Sequence, residues 1–180
     1  LDLKSFILNL RKTRVWHKWL GTSLAILLFI SAITGVLLAL KKEVAVIQPP
    51  TVKGSSKDLS TWLPLKEIDS IAYQALILAH PYEYENKVDR LDVRPSKGMV
   101  KALFSNGYWE VQVDGTSGEV LSIAKRHSDW IEALHDGSIV SDVFKLISMN
   151  VLGIGLVFII LTGLWLWYGP KRYRKLKRKS

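Results

Sequence analysis

The chain has 180 residues, formal net charge +9, 48% hydrophobic residues, a mean hydropathy of +0.15 and no cysteine. The missing cysteines exclude disulfides, thiolate metal sites, covalent haem attachment through thioethers and a cysteine nucleophile. The charge is unevenly spread, with basic runs at both ends and a middle, 41–142, that holds 12 basic and 15 acidic residues. A nucleic-acid binder concentrates positive charge on its folded domain, so no nucleic-acid partner is expected.

Residues 1–19 read as a cytoplasmic amphipathic segment. Leu3, Phe6, Ile7 and Leu10 follow helical spacing, with Lys4, Arg11 and Lys12 around them, as in a helix lying on anionic lipid. Residues 20–40 are an uncharged apolar run. At ~1.5 Å per residue it matches a hydrocarbon core of roughly 30 Å, and it is the first expected transmembrane helix. The alternative, a cleaved signal peptide, is disfavoured by the length of the run and the lack of a small-x-small cleavage site. Residues 41–64, with Pro49, Pro50 and Gly54, read as a linker.

Residues 65–127 read as a small α+β domain. Leu65, Ile68, Ile71, Ala72, Ala75, Leu76 and Ala79 form a helical stripe closed by Pro81. Alternating segments follow at 90–94, 99–104, 108–113 and 119–124, divided by Pro95 to Gly98, by Asn106-Gly107 and by the turn Asp114 to Gly118. The domain shows no catalytic constellation. Residues 128–148 are expected as a juxtamembrane helix and turn, 149–168 as the second transmembrane helix, and 169–180 as a basic cytoplasmic tail. Trp16, Trp19, Trp165, Trp167 and Tyr168 mark the ends nearest the basic flanks. Those flanks place both termini in the cytoplasm and the central domain outside. Neither span carries an ionisable residue in its hydrocarbon stretch, which argues against transport by the chain alone, and no protease motif is present.

Several motifs carry a family resemblance. They are RVWHKWLG (14–21), AITGVLLALKKE (32–43), WEVQVDGTSGEVLSI (109–123), ALHDGSI (133–139) and LTGLWLWYGPK (161–171). In this order they resemble PepSY-associated transmembrane proteins, in a short two-helix form. The resemblance implies a PepSY-like domain on the periplasmic side of a bacterial cytoplasmic membrane and an association with iron and siderophore uptake. Some larger, four-helix members look like haem-containing ferric-siderophore reductases.

Two of the four histidines, His17 and His135, open membrane-directed segments. Each span has a Thr-Gly pair near its far end, Thr34-Gly35 and Thr162-Gly163, giving an approximate inverted repeat. His17 and His135 are candidate axial ligands of haem b, and Gly35 and Gly163 are candidate close-approach positions. One chain offers one such histidine per membrane face, so one haem needs a homodimer or a partner subunit in a larger complex. The competing reading makes His17 an interfacial anchor and the LHDG segment (134–137) a turn, with Asp136 and Ser138 capping the next helix. Gly137 is the residue expected to break the helix after His135. Two functions follow: a membrane component for iron uptake that bears haem, acting in electron transfer or as a ferric-reductase subunit, or a non-enzymatic accessory subunit whose outer domain binds a protein or peptide. Gly153, Gly155 and the 21–35 face are weak homodimer signals.

Overall fold

A computed structural model describes residues 3–178; Leu1, Asp2, Lys179 and Ser180, the outermost parts of the amphipathic segment and the basic tail, lie outside the described residues, as does the side chain of Leu3. The order is α1 (Leu3–Ala39), α2 (Leu65–Ala79), β1 (Val88–Arg94), β2 (Met99–Phe104), β3 (Trp109–Asp114), β4 (Val120–Lys125), α3 (His127–Asp136) and α4 (Asp142–Lys177). The chain divides into two units. One holds α1 up to Gly35 together with the chain from Ala133; the other is Val36–Glu132.

In the first unit, α1 runs unbroken through the expected amphipathic segment and on into the apolar run. Both long helices are apolar and long enough to cross a bilayer. Their large apolar side chains are mostly exposed, among them Ile26 and Phe29 on α1 and Ile154 and Phe158 on α4. A soluble protein would bury such surface, and a lipid-facing helix has no need to. The helices pack antiparallel through small-against-large contacts. Leu24 lies against Gly155, Leu10 lies against Gly169, and the rings of Phe6 and Trp165 meet edge-on at 5.7 Å. Gly155 is thus occupied within the chain, whereas Gly21 and Gly153 face open space. Gly137 ends α3 with φ +84, a left-handed conformation that favours glycine. A Cβ there would also meet Ser148 Oγ at 2.9 Å. Helix α4 is capped not by Asp136 or Ser138 but by Ser141, whose Oγ accepts from the Phe144 N–H at 3.1 Å. Asp136 Oδ1 instead accepts from the Ser138 N–H at 2.9 Å. That bond closes the turn after α3, and Ser141, four residues nearer α4 than Gly137, is the residue with the extended backbone a cap requires.

The second unit is an antiparallel meander in the order β1-β2-β3-β4 with α2 on one face. Ile68, Ala72 and Leu76 of α2 bury against Val100, Ala102, Phe104, Val111 and Val113. This is the stripe-on-sheet core that the two periodicities demand. His80, at the C-terminal end of α2, lays its ring 4.1 Å from that of Trp109. The opposite face of the sheet carries Met99, Lys101, Leu103, Glu110, Gln112 and Asp114, and every one of them is buried. The segment read as a linker covers that face. Gln112 accepts from the Val52 N–H at 2.8 Å and donates to the Pro50 carbonyl at 2.9 Å. The Gly54 N–H donates to the Lys97 carbonyl at 2.8 Å. Asp114 accepts from the Ser55 N–H and, at 3.0 Å, from the Ser55 hydroxyl.

Burial alone would raise the Asp114 carboxyl, but the N–H groups of Ser117, Thr116 and Ser55 and the Ser55 hydroxyl outweigh it and hold its pKa below the ordinary carboxylate value. A depressed folded-state pKa contributes stability above the unfolded value of about 3.9, and that stability is lost as pH falls through the folded value. Thermal unfolding of the full chain in detergent is therefore expected to drop below about pH 4. The drop should be shallower in Asp114→Asn. Equal slopes for the two proteins would show that Asp114 does not set this limb.

Candidate functional site

The two candidate histidines lie in the first unit, at opposite ends of the paired helices. His17 sits one residue after Trp16 on α1 and reaches across to α4. Its Nδ1 is 2.8 Å from Thr162 Oγ1. A Cβ on Gly163 would stand 3.4 Å from His17 Cε1. His135, in the last turn of α3, is folded back by the Gly137 turn onto α1. Its Nδ1 is 2.9 Å from Thr34 Oγ1, and a Cβ on Gly35 would stand 3.4 Å from its Cε1. Each histidine is therefore brought together with a Thr-Gly pair, and the inverted repeat of the sequence is a repeat of contacts. The two histidines are not brought together. About 25 Å of α1 lies between His17 and Thr34.

Each threonine hydroxyl can donate to its own helix or to its imidazole. Thr34 Oγ1 lies 2.7 Å from the Ile30 carbonyl, and Thr162 Oγ1 lies 2.6 Å from the Phe158 carbonyl. A hydroxyl has one hydrogen. When that hydrogen is donated back to the helix, Oγ1 accepts from the imidazole and Nδ1 carries the ring hydrogen. In the neutral ring, Nε2 then holds a free lone pair. An outer hydrogen bond of this kind orients a metal-ligating histidine and fixes its tautomer. Each glycine lies against the Cε1 edge of its imidazole, at a spacing where a Cβ would make an ordinary van der Waals contact.

Asp136 follows His135. Burial would raise its carboxyl, but hydrogen bonds from Lys145 and from the Ser138 N–H and hydroxyl bring the pKa down to about 2. The charged carboxylate pairs with Lys145 at 2.5 Å and ties the end of α3 to the start of α4. His135 also lines a cavity of about 180 Å³, with Leu27, Ile30, Phe144 and Leu152 on its apolar walls. Among the described residues, no three His, Cys, Asp or Glu side chains converge as a metal cluster.

A second feature went unread in the sequence. In the central unit Lys101 and Glu110 form an ion pair at 2.9 Å with side chains 2% and 0% exposed. Arg126 reaches Glu110 from the other side at 3.2 Å. The signal was there, since strands 99–104 and 109–114 place charged residues on one sheet face. Nothing in the alternation itself says that such a face is covered.

No curated protein and no solved structure matches the chain. The family model described as the PepSY-associated TM region matches residues 14–180. That range takes in both histidines, both Thr-Gly pairs, the sheet and both long helices, and the chain belongs to this family of membrane proteins.

Proposed function

We propose that this protein is a component of the bacterial cytoplasmic membrane linked to iron uptake, with both termini in the cytoplasm and the central domain in the periplasm, and that His17 and His135 each serve as an axial ligand to a b-type haem. The observation that carries the reading is the pair of threonine-bonded imidazoles. Each Nδ1 meets a threonine hydroxyl, one at each end of the paired helices, and the tautomer with its hydrogen on Nδ1 leaves Nε2 free to bind iron. A bound haem would supply one-electron exchange between ferric and ferrous iron. The chain's own part is to hold each imidazole in one tautomer and one orientation. Thr162 does this for His17, and Thr34 does it for His135.

The cavity beside His135, about 180 Å³, is smaller than the roughly 300–1,000 Å³ of ordinary ligand sites. A macrocycle therefore does not fit within that cavity. A second copy or a partner subunit would have to complete the site.

Absorption spectra of the full chain, purified in mild detergent and recorded oxidised and dithionite-reduced, test the reading. A Soret band with sharp reduced α and β bands is expected, and His17→Ala and His135→Ala should each remove about half of the haem. Thr34→Val and Thr162→Val should keep haem but move its midpoint potential, which a merely structural threonine would not do. A featureless spectrum from a folded, haem-supplemented preparation would end this reading.

The second reading is an accessory subunit. It is favoured by the sheet order, in which β1 and β4 are the edges. An edge strand can accept an extended segment of a protein partner. This reading requires a colourless protein that retains a second membrane protein on purification.

A further inference from the structure

The central unit holds a cavity of about 670 Å³ walled by six cations: Lys41, Lys42, Arg94, Lys97, Lys101 and Arg126. Three of them are matched within the fold. Arg94 pairs with Asp92, Lys101 with Glu110, and Arg126 with both Glu110 and Asp129. Lys41, Lys42 and Lys97 have no carboxylate partner among the described residues. The cavity is thus a concave surface with unmatched positive charge, and low-dielectric walls focus such a field. The rest of the wall comes from Gln48 to Thr51, the start of the segment that covers the sheet. Here Gln48 Oε1 is buried with no hydrogen-bond partner. A buried amide end without a partner needs one whichever way the amide is turned. A ligand carrying both P–O⁻ acceptors and a hydroxyl donor would satisfy it in either orientation.

Position and surface indicate where such a ligand comes from. Lys41 and Lys42 follow immediately on the end of the membrane-crossing helix α1 at Ala39. On the same stretch of chain Val36, Leu40, Val44 and Val46 are exposed at 61%, 45%, 39% and 75%. Exposed apolar side chains within five residues of Lys41 and Lys42 in sequence, together with a cationic hollow, match the two parts of an anionic phospholipid. The phosphate headgroup would enter the cavity, and the glycerol and upper acyl chain would lie on the valines and leucine.

We infer that this cavity is a binding site for a phosphate anion, supplied as the headgroup of an anionic phospholipid. The site is distinct from the histidine positions and does not depend on what they hold.

Native mass spectrometry of the full chain, released from detergent after titration with phosphatidylglycerol or phosphatidylcholine, reads the site directly. One phosphatidylglycerol should be retained in preference to phosphatidylcholine, and K41Q/K42Q/K97Q should weaken that retention at least tenfold. The basic tail also attracts anionic lipid, so R172Q/K175Q/R178Q is the control and should keep the retained molecule. Circular dichroism and a thermal midpoint matching the wild type show that the cavity variant is folded. Competition by inorganic phosphate or glycerol 3-phosphate, with no retained lipid, would keep the phosphate site and assign it to a free anion. If phosphatidylglycerol is retained equally by the wild type and the cavity variant, or if neither lipid nor phosphate binds the wild type, the inference is overturned.

Discussion

Replacing Glu110 with alanine is expected to destabilise the central domain by about 3–5 kcal/mol, the range for removing one partner of a buried ion pair. The Glu110 carboxylate accepts from Lys101 at 2.9 Å, from Arg126 at 3.2 Å and from Gln112 Nε2 at 2.7 Å. Arg126 keeps Asp129 when the carboxylate is gone, and Gln112 keeps the Pro50 carbonyl. Lys101 keeps no acceptor among the described residues; its side chain is 2% exposed and pairs with Glu110. Lys101→Met should cost less, because Glu110 retains Arg126 and Gln112. The double variant Lys101→Met/Glu110→Leu leaves no stranded charge and should return close to wild type, since well-packed apolar replacements of buried ion pairs are often neutral. At about 4–8 °C per kcal/mol for a domain of this size, the alanine variant should unfold more than about 10 °C below wild type. Thermal unfolding of these proteins in detergent, with Glu110→Leu as the matching single variant, completes a double-mutant cycle. If Glu110→Ala proves no worse than Lys101→Met, water entering the cavity is solvating the ammonium, and the pair is not the buried one described above.

This pair also marks where the sequence stops being legible. The strands were readable because alternation and turn chemistry agreed: Asn106-Gly107 and the turn 114–118 divide segments that fall within a residue or two of β2, β3 and β4. Helix α2 was readable because its stripe and Pro81 agreed. Alternation, however, reports only which residues share a face. Polar residues such as Lys101, Glu110 and Gln112 on one face are equally the pattern of the wet side of a half-buried sheet. They are dry because Pro50, Val52, Gly54 and Ser55 lie across them, held by hydrogen bonds between residues about sixty positions apart. No local pattern encodes those bonds, and Pro, Gly and Ser composition reads as linker whether a segment hangs free or lies along a sheet.

The histidine sites were partly readable for a related reason. The Thr-Gly pairs and the histidines are local motifs, and their inverted order along two antiparallel helices suggested which pair meets which histidine. The height of His135 was not readable, because it depends on the turn that Gly137 makes with φ +84. Nor was the hydrogen bond that each imidazole makes. A threonine bonding back to its own helix is ordinary, and it becomes informative only when an imidazole nitrogen stands 2.8 or 2.9 Å from the same oxygen.

Gly54→Ala should release the covering segment at its centre. A Cβ on Gly54 would stand in hard overlap with the Gly98 carbonyl oxygen, 2.7 Å from the Gly98 carbonyl carbon and 3.1 Å from Asp114 Oδ2. The neighbour cannot give way. Gly98 is fixed at φ +72 between β1 and β2, and its carbonyl accepts from the Gly115 N–H at 3.1 Å. The segment must therefore move, and the bonds from Val52 to Gln112 and from Ser55 to Asp114 go with it. The expected loss is about 3 kcal/mol, at the upper end of ordinary overpacking. Gly153→Ala is the matched control, since a Cβ there meets nothing within 4 Å. Hydrogen exchange measured by mass spectrometry should show faster exchange across residues 50–56 in the Gly54 variant alone. The cavity wall from Gln48 to Thr51 belongs to the same segment, so retention of phosphatidylglycerol should fall in parallel with that protection, although no cation has been changed. Protected amides and an unchanged unfolding midpoint in Gly54→Ala would mean that the segment is not held at this point. The buried charges beneath it would then need another cover.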